Sequence, residues 1–190
     1  MKRILATCLA IILVTGLFSL VSHAASGNAI AAQKQGDMQA AKPGDELFQL
    51  LRQDHQRIRQ IFIQNKGAPG EVSPSPGELL RELRAELVPH MIAEEKTLYA
   101  EMYKKDSTRE MAKQTVKEHQ DIKRVMNELQ NMRDDEVNSS PRISELRQLV
   151  NNHVRNEETM LFRSARDNLD PNILNSLAAR FQQEKRNAMK

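Results

Sequence analysis

The sequence predicts an all-α protein: an antiparallel up-down four-helix bundle with a short fifth C-terminal helix and an N-terminal signal segment. Aromatic residues make up only 4% of the 190 residues, and tryptophan is absent. Because β-sandwiches and barrels depend on bulky strand residues and many turns, this composition favours helices. Helix-start signals recur along the chain, and apolar residues follow them at spacings of three or four. Four long helices with short connections are typical of an antiparallel bundle.

The N-terminal segment has the layout of a secretory signal peptide, which we assign to residues 1–24. A basic start at residues 1–3 precedes an apolar run over residues 4–21, and residues 22–24 offer small side chains at a cleavage site. The apolar run is long enough to span a membrane, so an uncleaved anchor is the alternative. We therefore expect a periplasmic or secreted protein without stable membrane insertion or, in the alternative, a membrane-anchored one facing the non-cytoplasmic side.

Charge and cysteine content limit the classes of partner and scaffold. Loss of Lys2 and Arg3 with the signal would lower the formal net charge from +3 to +1. A nearly neutral chain is poorly suited to nucleic acid, so no nucleic-acid partner is expected. The single cysteine, Cys8, excludes a disulfide or zinc-finger scaffold. Because Cys8 lies in the signal segment, the mature chain would contain no cysteine, which fits an oxidising compartment.

The rest of the chain is predicted to contain a tether and the first three helices in order. Residues 25–43 are rich in alanine, glutamine and glycine without apolar periodicity, which is typical of a flexible tether. Asp45 starts a first helix that runs to about residue 64. Residues 75–78 form a capping box that starts a second helix to about residue 104. Residues 107–110 form another capping box, which starts a third helix to about residue 133.

Two further helix starts complete the predicted fold. Ser140 and Pro141 start a fourth helix to about residue 166, which gives a bundle over residues 44–168. Asp170 and Pro171 start the C-terminal helix within residues 169–190. Its apolar stripe is expected to pack on the outside of the bundle or to form an oligomer contact, such as a homodimer.

Two sequence patterns each occur twice. The pattern [DE]-H-Q-x-I-[RK] occupies residues 54–59 and 118–123, and the pattern H-x-x-x-E-E-x-x-L-[YF] occupies residues 90–99 and 153–162. The second copies follow the first by 64 and 63 residues, respectively. Two helical hairpins related by a pseudo-twofold axis would produce this repeat.

Six polar residues occupy positions in the apolar stripes where leucine is expected: His55, His90, Glu94, His119, His153 and Glu157. If a stripe covers about 3/7 of a helix, four of four histidines fall on stripes by chance in roughly 3% of cases. Carboxylates seldom lie in a core without a counter-charge, and these stripes carry no lysine or arginine. Imidazole and carboxylate are ligands of first-row transition metals, and six ligands suit two ions.

The complete pattern, H … HxxxE … H … HxxxE on four helices, resembles the hemerythrin-like, or HHE cation-binding, domain family over about residues 45–166. In that family the site is a non-haem di-iron centre with bridging carboxylates, so the resemblance implies two iron ions as cofactors. It implies that Glu94 and Glu157 are bridging carboxylates. It implies that the terminal iron ligands are His55, His90, His119 and His153.

Two departures from the family's pattern affect the expected function. Oxygen-carrying hemerythrins have a second histidine four residues after the one on the third helix, and here that position is Lys123. Their last carboxylate also follows the final histidine at a different spacing. The chain therefore looks more like the subgroup linked to iron-centre repair, nitric oxide or oxidant response. This resemblance implies an exported protein that binds, senses or reacts with O2, NO or peroxide, and it assigns no catalytic residue.

Two other functions fit the same residues. Iron buffering or storage without turnover would use the same ligands, and manganese or zinc are alternatives because the ligand types alone are permissive. A structural or chaperone-like helical protein of the envelope would bind no metal and would tolerate leucine at Glu94. Enzymatic activity is left open, with a metal-binding role favoured.

Five further residues near the six candidate ligands are interpreted as charged or packing residues outside the metal site. Glu95 and Glu158 are taken as solvated or boundary charges, with a role in orienting a histidine as the alternative. Asp54 and Glu118, each just before a histidine, are taken as surface charges. Tyr99 is taken as a packing residue.

Overall fold

The computed structural model describes residues 42–64, 76–132 and 141–190. No strand occurs in these three ranges, and the all-α prediction is confirmed. The helices, in chain order, are α1 Asp45–Gln64, α2 Pro76–Lys96, α3 Leu98–Tyr103, α4 Asp106–Gln130, α5 Pro141–Asn156, α6 Phe162–Asn168 and α7 Pro171–Ala188. A π-helical turn, Glu157–Leu161, joins α5 to α6.

Several predictions fall partly or wholly outside the described residues. The signal peptide over residues 1–24 lies outside them, as do nearly all of the tether over residues 25–43 and the start of the capping box at residues 75–78. Within the described ranges, no helix combines the length and the apolar character that a membrane crossing requires.

The apolar core consists of two clusters, and four helical segments contribute to both: α1, α2, α4 and the α5–α6 segment, residues 141–168. One cluster includes Leu51 and Leu98, and the other includes Ile58 and Leu87. Along each of these segments, the buried apolar residues change from one cluster to the other near the histidine. On α1, for example, His55 lies between Leu51 of one cluster and Ile58 of the other. The predicted polar residues therefore lie in a layer between two apolar clusters.

Polar contacts between the long helices identify which segments are neighbours. In each pair of neighbouring segments, the residue number of the partner falls as the residue number along the first segment rises. The contacts are Arg84–Asn127 and Glu95–Lys123 for α2 and α4, Glu118–Asn156 and Glu128–Arg142 for α4 and α5, and Asp45–Arg166 and Arg59–Glu158 for α1 and the α5–α6 segment.

The predicted second helix is interrupted at Thr97, so its extension to about residue 104 is wrong. Thr97 has φ −120° and ψ −88°, and α3 begins at the next residue. The Thr97 hydroxyl donates to the carbonyl of Ala93 at 2.6 Å. Such a bond from threonine to its own helix, four residues back, competes with regular helical geometry.

The start of the third predicted helix also differs from the prediction. Helix α4 begins at Asp106 with Lys105 extended before it, so Ser107 does not cap the helix. The hydroxyl of Thr108 instead donates to the carbonyl of Met102 and ties α4 to α3. By contrast, the predicted cap of the C-terminal helix is confirmed, because the side chain of Asp170 accepts from the Asn172 N–H at 2.8 Å.

The C-terminal helix α7 packs against α1 and α2 of its own chain. Three residues of its apolar stripe, Leu174, Leu177 and Phe181, are buried there. A homodimer through this helix stays a prediction, and it would use the outer face of α7 rather than this stripe.

Candidate metal centre

The six residues predicted from the apolar stripes converge in the buried layer between the two apolar clusters. Each has at most 1% of its surface exposed. Their side-chain nitrogen and oxygen atoms form two groups, and within each group the atoms lie within 4.8 Å of one another. The first group is His55, His90, Glu94 and Glu157; the second is Glu94, His119 and His153. The α1 and α2 histidines therefore form one half of the site, and the α4 and α5 histidines form the other.

Glu94 has one carboxylate oxygen in each half. Its Oε1 lies 3.2 Å from His90 Nε2, and its Oε2 lies 3.4 Å from His119 Nε2. Glu94 thus spans the two histidine pairs, as a bridging carboxylate must.

Glu157 also contacts both halves, but through a single oxygen. Its Oε2 lies 3.1 Å from His55 Nε2 and 3.5 Å from His153 Nε2. The other oxygen, Oε1, accepts a hydrogen bond from the buried Tyr99 hydroxyl.

Each histidine is held at its Nδ1 atom by a carboxylate from a neighbouring helix. The four pairs form a closed ring around the site: Asp54 with His90 at 3.1 Å, Glu95 with His119 at 2.8 Å, Glu118 with His153 at 3.1 Å, and Glu158 with His55 at 2.8 Å. A carboxylate at Nδ1 fixes the proton there and turns Nε2 towards the interior, as is common around metal-bound histidines.

Most of the inward-facing atoms lack hydrogen-bond partners, but His119 Nε2 and His153 Nε2 lie 3.2 Å apart, within hydrogen-bond distance of each other. In the described ranges, six buried side-chain nitrogen or oxygen atoms have none, and five of these belong to this cluster: His55 Nε2, His90 Nε2, both oxygens of Glu94, and Glu157 Oε2. Some of these atoms are within 3.5 Å of one another, but their angles do not suit hydrogen bonds. Buried polar atoms are seldom left unsatisfied. Cations bound among them would satisfy all five, so the donor set fits a metal.

The carboxylates make the centre attractive to positive charge. Burial opposes ionisation of Glu94, but His90 and His119 outweigh it and hold the pKa of this carboxyl well below its usual value. Burial likewise opposes the charged form of His119, yet Glu94 and Glu95 raise its pKa to about 9. A metal ion bound at His119 would therefore have to displace the added proton of this imidazole.

Asp54 and Glu118 are not surface charges, and that interpretation is wrong. Asp54 is buried against His90, and Glu118 is half-buried against His153. The sequence did contain a signal for them, because an acidic residue precedes the histidine in both copies of the first repeat.

Glu95 and Glu158 follow the alternative interpretation, in which each orients a histidine. Both are half-buried, and both also contact a cation at the surface. Glu95 accepts from Lys123 at 2.8 Å, and Glu158 lies 3.4 Å from Arg59. Lys123, the departure from the oxygen-carrier pattern, therefore supports His119 through Glu95.

Both copies of the second repeat end in irregular backbone. In the first copy, the helix is interrupted at Thr97, shortly after Glu94 and Glu95. In the second copy, the π-helical turn begins at Glu157. π-helical turns are frequent at functional sites. Here the turn lets two consecutive residues, Glu157 and Glu158, contact one histidine, His55, at its two ring nitrogens.

Tyr99 belongs to the site and is not only a packing residue. Its hydroxyl donates to Glu157 Oε1 and lies 3.5 Å from His119 Nε2. Burial, together with the negative charges of Glu157 and Glu94, raises the pKa of Tyr99 well above its usual value.

We expect Tyr99→Phe to destabilise the metal-free protein by about 1–3 kcal/mol, because Glu157 Oε1 would become a buried acceptor without a donor. Urea denaturation followed by circular dichroism measures this change. Tyr103→Phe is the matched control, because 51% of the Tyr103 surface is exposed. Equal unfolding free energies for the two variants would contradict a role for the Tyr99 hydroxyl in the site.

Comparison with known proteins agrees with this geometry. The profile of the Hemerythrin HHE cation binding domain matches residues 46–165. A curated protein named DNA nickase, from Nostoc sp. (strain PCC 7120 / SAG 25.82 / UTEX 2576), is 26% identical over 141 residues. That alignment covers 72% of this chain and 38% of the nickase, so the chain spans about two fifths of that relative. No solved structure matches the chain.

Proposed function

The chain belongs to the hemerythrin HHE cation-binding domain family, and from that premise we propose that it holds a non-haem di-iron centre. The centre would bind, sense or react with O2, NO or peroxide. One observation carries this proposal: five buried, unpartnered nitrogen and oxygen atoms face one another within a single cluster. A proton can satisfy one such pair, whereas metal ions can satisfy all of them.

In this proposal each half of the site holds one ion. His55 and His90 would hold the first ion and His119 and His153 the second, with Glu94 and Glu157 lying between the two pairs. With two histidines per ion, iron would supply a redox-active Lewis acid with coordination positions open to a small ligand. The chain's own residues would keep the Nδ1 protons on the carboxylate side, turn each Nε2 towards the interior, and exclude water with the two apolar clusters.

We also propose that α1, α2, α4 and the α5–α6 segment form an antiparallel up-down four-helix bundle. The contacts between neighbouring segments support this arrangement, because residue numbers fall along one segment as they rise along the other. Export through the signal segment, followed by a periplasmic or secreted location, completes the proposal. Nicking of DNA forms no part of this proposal, because the alignment covers only 38% of the DNA nickase.

The test is anaerobic loading of the purified protein with ferrous iron, followed by optical titration with O2 and with NO. We expect about two irons per chain and a spectral change with at least one of the two gases. Two bound irons without any spectral change would favour storage over reaction. A protein that takes up no iron would overturn the proposal and favour a structural role, and loading with manganese or zinc alone would reassign the metal.

A further inference from the structure

The C-terminal helix α7 contacts the candidate metal centre from outside the matched residues 46–165. Two of its side chains, four residues apart, lie over His90. The Phe181 ring meets the His90 ring edge-on, with 5.8 Å between the centroids. The Lys185 ammonium donates to Asp54 Oδ2 at 2.7 Å, and the same oxygen lies 3.1 Å from His90 Nδ1.

Lys185 is not a surface charge, and its location suits it to position the side chain of Asp54. It is only 9% exposed, and its ammonium also lies 3.3 Å from Glu86. Burying an ammonium is costly, and burial is the main reason that the pKa of Lys185 is lowered. Arg57 contacts the other oxygen of Asp54 from the surface.

We propose that α7 is a functional part of the metal centre, in which Lys185 fixes Asp54, Asp54 orients His90, and metal binding at the His55–His90 half is coupled to docking of α7. This inference rests on the proposed function. The carboxylates of the other three histidines have their additional partners, Arg59, Lys123 and Asn156, within the matched residues. Because coupling between two equilibria is reciprocal, metal binding would in turn hold α7 on the bundle.

The test first weakens one half of the site by mutation, so that iron binding reports on the other half, and then changes Lys185. A His119→Ala background weakens the second half, so that ferrous iron titrated anaerobically reports on His55 and His90. There, Lys185→Met is expected to lower the affinity about tenfold, at the lower end of effects of outer partners, because Arg57 still holds Asp54. Lys185→Arg keeps the charge and is expected to restore most of the affinity. In a His55→Ala background, Lys185→Met is expected to leave the affinity unchanged.

Lys96→Met is the matched control. Lys96 pairs with Glu184 at 2.9 Å, so this change removes another α2–α7 ion pair without contacting Asp54. It is expected to leave both halves unaffected. An equal loss of affinity in Lys96→Met would overturn the proposal, because α7 would then act only through general packing.

A measurement on the unaltered protein keeps the proposal testable if Lys185→Met does not fold. Hydrogen exchange of the α7 amides is expected to slow on addition of ferrous iron. If the unaltered protein binds iron but α7 exchange does not change, or if Lys185→Met binds iron as tightly as its parent, this inference is overturned and the proposed function stands. Failure of the unaltered protein to bind iron overturns the proposed function instead.

Discussion

Changing His90 and His153 together to alanine is expected to reduce bound iron from about two ions per chain to none. The pair removes one imidazole from each half of the site, and neither remaining half keeps a His–His pair to share with Glu94 and Glu157. Iron measured by mass spectrometry after anaerobic loading and gel filtration tests this expectation. His90→Ala alone is expected to leave about one ion, because the His119–His153 half stays intact.

A matched double variant separates loss of ligands from general damage to the helices. Glu82→Ala with Asn151→Ala changes two exposed residues on the same helices, α2 and α5. It is expected to bind iron like the unaltered protein. If the double histidine variant folds, as judged by circular dichroism, and still retains about two ions, the assignment of His90 and His153 is wrong.

Ferrous iron is expected to raise the free energy of unfolding by ~4 kcal/mol when free iron exceeds its dissociation constant a thousandfold. The unfolded chain cannot hold ligands that are up to about a hundred residues apart, so iron binds the folded state alone. In the metal-free protein, five of the inward-facing atoms have no hydrogen-bond partner. Iron binding therefore does not have to replace hydrogen bonds at these atoms. Anaerobic denaturation with iron, and again with excess chelator, measures the difference.

The double histidine variant supplies the control for this second prediction. Its denaturation midpoint is expected to be the same with iron and with chelator. Equal midpoints in the unaltered protein would instead indicate a helical protein whose stability does not depend on metal, and would support the structural alternative. Stabilisation that persisted in the double variant would show that iron acts at some other site.

The convergence of the six central residues could be predicted because it depends on local periodicity. His90 and Glu94 are four residues apart, so helical geometry alone places them on one face, and the apolar residues around them turn that face inward. The same holds for His153 and Glu157. Their burial required no knowledge of any other helix.

The backbone irregularities were not predictable from the same patterns. The helix is interrupted at Thr97, whose hydroxyl bonds to its own helix, but Thr115 makes the same bond within the continuous α4, so this bond alone does not predict an interruption. The π-helical turn at Glu157–Leu161 accommodates one extra residue in the turn. Both irregularities remove regular helical hydrogen bonds. Neither changes the spacing of apolar residues enough to be recognised in the sequence. The apolar pattern therefore predicted continuous helices through both positions.

By itself the sequence determined the helical class, the repeat, and the two histidine–glutamate helices that face the interior. The tertiary structure decided which carboxylate meets each histidine, how Glu94 and Glu157 divide their oxygens, and that Lys185 reaches Asp54 across 131 positions of the chain. The physical reason is the range of each effect. Periodicity and caps act within one or two turns of a helix, whereas a hydrogen bond between helices depends on how whole helices pack.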